Sequence, residues 1–242
     1  MKLQNFTGGV SGALIGALII LGAATCAFAQ EPAAGAPGGR GGRGGGGGRG
    51  PAPQPPPALF FKETWKQAPG NVPVTQEYVT NPDLQLNLYG TGKEDFGVTS
   101  EGNTPHVWTG LCATACALTL SSKENFVDLT GKAKIRWSTK TSGFHEVRPV
   151  LKLADGTMLV GDHVDAYTFD YHESEIFLSE VHWLKMDGAK VQPKGELLEK
   201  DKVDLSKVSE VGFADLMPGS GHGSGGYDDV AWIEVYGKPV KR

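Results

Sequence analysis

Asp162-His163-Val164-Asp165-Ala166-Tyr167-Thr168-Phe169-Asp170-Tyr171-His172-Glu173 is the densest run of chemistry-bearing side chains in this sequence. Its Asp162, His163, Asp165, Asp170 and His172 are of the types that ligate metals, but their spacing fits neither an EF-hand loop nor a zinc motif. Its rings Tyr167 and Tyr171 are candidates for stacking on a sugar. So is Trp108, which reads as a loop residue because Thr109 and Gly110 follow it. Burial in a core is the ordinary alternative for all three.

A second set is cationic. Side chains alternate along a strand, so Ala133, Ile135 and Trp137 form one face of their run while Lys134, Arg136, Ser138 and Lys140 form the other. In the next run Val147, Leu151 and Leu153 face inward, leaving Glu146, Arg148, Val150 and Lys152 outward. Pairing of the two runs as a hairpin through Thr141-Ser142-Gly143-Phe144 would put Arg136, Lys140, Arg148 and Lys152 on one sheet face. Such a face suits carboxylate- or sulfate-bearing polysaccharide, because arginine donates two parallel hydrogen bonds to planar anions. The competing reading is a solvated face balanced by Glu146 and Glu175.

Two catalytic readings compete with binding. Glu146, Asp162, Glu173 and Glu175 are of the right type for glycoside hydrolysis, which needs two carboxyl groups about 5–9 Å apart; no catalytic motif surrounds any of them. Ser220 and Ser224 flank His222 in a glycine-rich loop, but the strand-to-helix turn of a nucleophile elbow is missing. The same loop opens no helix and is no phosphate cradle. Cys112 and Cys116 read either as a disulfide of an oxidising compartment or as two small buried residues.

The elements positioning these residues are strands. Short β-branched or alternating runs stand at Gln85–Tyr89, Ala117–Leu120, Ala133–Thr139, Val147–Leu153, Met158–Val160, Ile176–Trp183, Val208–Phe213 and Val230–Tyr236. Ala154-Asp155-Gly156 forms a tight turn between two of them. No run sustains a helical period, so the fold class is all-β, an antiparallel β-sandwich of the jelly-roll kind, over residues 59–242.

Ahead of it, Met1-Lys2, an apolar stretch from Val10 to Ala24 and the small-residue site Ala27-Phe28-Ala29 form a signal peptide over residues 1–29, cut after Ala29. Residues 30–58 are Gly, Arg, Pro and Ala, which bury too little to order, and read as a disordered linker. Export places the mature protein in the periplasm or outside the cell, with no stable membrane span after cleavage. A formal net charge of −4, with basic residues spread along the chain, argues against a nucleic-acid partner.

Val203-Asp204-Leu205-Ser206-Lys207-Val208-Ser209-Glu210-Val211-Gly212-Phe213, followed after a loop by Asp229-Val230-Ala231-Trp232-Ile233-Glu234-Val235, resembles the last two strands of galactose-binding-like jelly rolls. Many carbohydrate-binding modules share that fold. The resemblance implies a polysaccharide or cell-envelope glycan as partner, no catalysis and no cofactor beyond a structural calcium between the first and last strands. Glu63, Asp228 and Asp229 are the residues it points to for that ion. A structural domain with no small ligand is the third reading, since this fold hosts many functions.

Overall fold

The alternating runs become two antiparallel sheets. The computed structural model describes residues 55–217 and 226–242. The expected signal peptide, nearly all of the expected linker, and Ser220, His222 and Ser224 lie outside the described residues.

One sheet has six strands, in the order β10 (His172–Phe177), β7 (Lys134–Ser142), β14 (Tyr227–Tyr236), β4 (Thr104–Trp108) and β3 (Gly97–Glu101), with β1 (Leu59–Glu63) also on β14. The other has nine. Its main path is β12 (Gln192–Lys194), β11 (Trp183–Asp187), β9 (Met158–Gly161), β8 (Val147–Leu153), β13 (Val208–Asp215), β5 (Cys116–Ser122) and β2 (Leu84–Tyr89). β6 (Asn125–Asp128) joins it at β13, and β15 (Lys238–Lys241) pairs with β6. Gly237 N donates to Ala58 O, so the start of β1 meets the chain where it passes from β14 to β15.

Two expectations about pairing are corrected. β7 and β8 do not form a hairpin: β7 pairs with β10 and β14 in the six-stranded sheet, β8 with β9 and β13 in the nine-stranded one. The connection between them crosses the sandwich, because Ile135 and Trp137 of β7 and Val147 and Leu151 of β8 are core residues that face each other from opposite layers. The run Ile176–Trp183 is likewise two strands, β10 and β11, one in each sheet. The β8–β9 turn is as expected: Gly156 sits at φ +89°, Thr157 N donates to Asp155 Oδ1 at 2.8 Å, and Gly156 N to Leu153 O at 3.0 Å.

Between the sheets lie Trp65, Phe96, Leu118, Leu120, Ile135, Trp137, Leu151, Phe213 and Val235, all buried. Each large apolar side chain removed from water contributes roughly 1.5–3 kcal/mol. Trp137 gains a polar partner as well, since its indole N–H donates to Asp165 Oδ2.

The nine-stranded sheet carries a second, smaller core on its other face, of Ala115, Ala117, Val150, Met158, Val160, Met186, Val191 and Ala214. Its cover is the turn between β11 and β12. Gly188 O accepts from Gly90 N at 3.1 Å, although β11 and β2 lie toward opposite edges of the sheet. That contact requires the sheet to curl, and Gly212 in mid-β13 shows where: a Cβ there would meet Leu118 O of β5 at 2.0 Å. The outer face of this sheet is therefore concave.

Candidate functional site

Strand alternation brings Tyr89 of β2, Thr119 of β5, Glu210 of β13 and Lys152 of β8 onto this concave face, because their neighbours Leu88, Leu118, Val211 and Leu151 point into the main core. Register makes Glu210 and Lys152 direct partners across β13 and β8. Glu210 is buried, and its carboxylate accepts from Tyr89 Oη at 2.7 Å, from Lys152 Nζ at 3.0 Å and from Thr119 Oγ1. Lys152 Nζ also donates to Tyr89 Oη at 3.0 Å and lies 5.4 Å from the centre of that ring. The hydrogen bond with Tyr89, then that with Glu210, raises the Lys152 ammonium above the ordinary lysine value, outweighing burial. Burial pushes the Tyr89 phenol up as well.

Over this network opens a groove of about 810 Å³, lined by Tyr89, Lys93, Lys152, Lys185, Asp187 and Lys194 among others. Four lysines meet one aspartate along it. Lys194 pairs with Asp187 at 2.9 Å, while Lys93 reaches Glu94 only at 4.0 Å. Among the described residues, Lys185 has no carboxylate within 4.0 Å. The groove thus combines aromatic and apolar surface with positive charge, a lining suited to a polar, anionic chain.

The cationic residues read from the sequence fall on two sheets. Lys152 is in the groove, and Arg148, on the same strand, binds Glu146 at 2.9 Å. Arg136 and Lys140 are on the six-stranded sheet, where Arg136 meets Glu234 at 3.1 Å and Glu173 at 3.2 Å, and Lys140 meets Glu101 at 2.8 Å. Lys134–Glu175 at 2.8 Å and Lys62–Glu234 at 2.9 Å complete a charge ladder, with Trp232 beneath Lys62 and Arg136.

The aromatic candidates also separate. Tyr167 is 64% exposed in its loop, near Phe169 at 91%. Tyr171 packs against His106 and under Lys140, with its hydroxyl buried, so its stacking face is occupied. Trp108 ends β4 rather than standing in a loop, and Gly97 and Gly110 pack against its ring.

Glu63 is not brought to Asp228 and Asp229. Its carboxylate accepts from Trp65 N, Thr80 N, Thr80 Oγ1 and Asn81 N at 2.7–3.0 Å, tying β1 to the segment before β2. It lies opposite Ile233, about 13 Å along β14 from Asp229 at a strand's rise per residue. Adjacent residues of a strand also point oppositely. The four carboxylates of the type hydrolysis needs are each in ion pairs: Glu146 with Arg148, Asp162 with His182 at 2.9 Å, and Glu173 and Glu175 with Arg136. Asp165 is held by Trp137, His163 and Ser174, so the 162–173 run is fastened by its polar groups. Cys112 and Cys116 are buried thiols with no disulfide.

No protein-family model and no curated protein matches this sequence. Solved structures similar to it include a family 11 carbohydrate-binding module of the cellulosomal cellulase Lic26A-Cel5E of Clostridium thermocellum, at 14% identity and TM-score 0.39 over 65% of this chain and 85% of that one. The family 11 module from Clostridium thermocellum in complex with a β-1,3-1,4-mixed-linked tetrasaccharide is similar at 15% identity and TM-score 0.42, over 72% and 98%. A structure titled for endo-acting O-glycanases of human gut microbiota is similar at 12% identity and TM-score 0.36, over 74% and 99%.

Sequence reasoning did not single out Tyr89, Lys185, Lys194 or Glu210. Alternation within Gln85–Tyr89 and Val208–Phe213 sets Tyr89 and Glu210 opposite the apolar residues, a legible signal. Lys185 and Lys194 depend on the curl of the sheet, which has no local signature.

Proposed function

We propose that this chain is an exported, non-catalytic carbohydrate-binding module that takes an acidic polysaccharide, such as a cell-envelope glycan, in the concave groove of its nine-stranded sheet. The observation carrying this reading is the groove itself: about 810 Å³, lined by four lysines of which Lys152 and Lys194 are paired and Lys93 and Lys185 are left to face a ligand, with Tyr89 in its wall. A uronate-bearing chain would set its carboxylates against Lys185, Lys194 and Lys93 and its ring faces along Tyr89 and the methionine-lined wall. The signal-like start of the sequence supports delivery to the periplasm or beyond, and the linker composition supports a flexible tether.

The test is an array of neutral, uronic-acid and sulfated glycans probed with the exported chain and with the double variant Lys185→Ala/Lys194→Ala. Saturable binding to the acidic glycans, weakened at least tenfold in the variant and by added salt, is expected. Equal binding by the variant would move the site off the groove, and silence on every glycan would sink the reading.

A further inference from the structure

At one end of the sandwich, Asp215 of β13 and Asp228 of β14 approach each other from opposite sheets, with His145 of the β7–β8 connection beside them. One ligating atom from each lies within 4.8 Å of the other two. All three residues are buried: His145 is 3% exposed, Asp215 1% and Asp228 0%. Asp215 is well partnered, accepting from Met217 N at 2.9 Å and Thr109 Oγ1 at 3.1 Å, with His145 Nδ1 at 2.7 Å. Asp228 is not. Among the described residues neither of its carboxylate oxygens has a hydrogen-bond partner, although its backbone N–H is fixed by Thr109 Oγ1 at 2.9 Å.

A buried carboxylate with both oxygens unsatisfied, beside a second buried carboxylate, is unfavourable unless something cationic sits between them. The neighbouring groups that bear on Asp228 are Asp215, Asp229, Glu146 and Cys112, all acidic. His145 is the one nitrogen donor within the cluster. We propose that His145, Asp215 and Asp228 bind a divalent transition-metal ion, Zn²⁺ or Mn²⁺, which clamps the two sheets together at this end. One imidazole and two carboxylates make a mixed donor set for such an ion, whereas Ca²⁺ takes six to eight oxygens. The second oxygen of Asp228 supplies a further donor. The site is distinct from the groove and does not rest on the glycan reading. Its role is structural, because the cluster is closed to solvent.

The test uses the full chain, purified without chelator, stripped by dialysis against EDTA, and titrated with Zn²⁺, Mn²⁺ and Ca²⁺ while bound metal and thermal midpoint are followed. Expected are one Zn²⁺ or Mn²⁺ per chain and a raised midpoint on loading. Asp228→Asn should lower metal affinity at least about tenfold while leaving the stripped protein no less stable than wild type, since it replaces a buried carboxyl whose oxygens have no partner among the described residues. Should Asp228→Asn fail to fold, His145→Gln should likewise lower metal affinity at least about tenfold, at some cost to the stripped protein because His145 partners Asp215. Failure of Zn²⁺ and Mn²⁺ to bind, preference for Ca²⁺, or unchanged affinity in the variants would overturn the proposal.

Discussion

The outer faces of the two sheets treat charge in opposite ways. On the six-stranded sheet Lys62, Lys134, Arg136 and Lys140 each meet a carboxylate at 3.1 Å or closer, and the aromatic rings beneath them are already covered by those cations. On the nine-stranded sheet Lys152 and Lys194 of the groove are paired with Glu210 and Asp187, but Lys93 reaches Glu94 only at 4.0 Å and Lys185 meets no carboxylate among the described residues. A face that satisfies itself has nothing left for a ligand; a face with surplus donors over a rigid floor has. The difference follows from shape as much as composition, because only the curled sheet brings residues from opposite edges to one concavity.

The largest effect should come from flattening that curl. Gly212→Ala forces a methyl toward Leu118 O, where an ideal Cβ would stand at 2.0 Å, and the obstacle is backbone. A loss of about 3 kcal/mol or more is expected in urea unfolding, and near-neutral behaviour would show that the strands separate there at little cost. Next comes the groove floor. Lys152→Met leaves the buried Glu210 without its cation and should cost about 2 kcal/mol, with glycan affinity reduced alongside. If stability holds, Glu210 finds its compensation elsewhere.

The smallest effect belongs to the charge ladder, and pH reveals it. Burial tends to raise the Glu234 carboxyl, but hydrogen bonds from Lys62 and Tyr236 and the charge of Arg136 hold it below its ordinary value of 4.5. A carboxyl depressed in the folded state contributes stability above about pH 4.5 and loses it as pH falls through the folded value. Thermal midpoints between pH 5 and pH 3 should therefore fall less steeply for Glu234→Gln than for wild type. Parallel slopes would mean that the ladder adds nothing to stability and is only a solvated surface.

Most of the sandwich was legible. β2, β5, β8, β9, β13 and β14 follow from local alternation or β-branched runs, and the Asp155-Gly156 turn follows from its residues. Trp137 is buried together with Ala133 and Ile135, the residues with which alternation sets it on one face. What sequence could not convey was which sheet each strand joins. The four-residue spacer at Thr141–Phe144 looks like a hairpin loop, yet the two apolar faces it separates pack toward each other across the core, and facing layers cannot be neighbours in one sheet. The same ambiguity divided Ile176–Trp183. The candidate site suffered most, because the expected cationic face depended on that hairpin. Asp215 and His145 were invisible for a related reason: lone polar residues, 70 positions apart, that only the closed sandwich brings together.

The hydrogen bond from Gly237 to Ala58 has a practical consequence. Past the corner it marks, the chain does not leave: β15 carries it from the six-stranded sheet onto β6 of the nine-stranded one, so trimming the domain at Gly237 would uncover the edge of β6. The corner is a hand-over between the sheets.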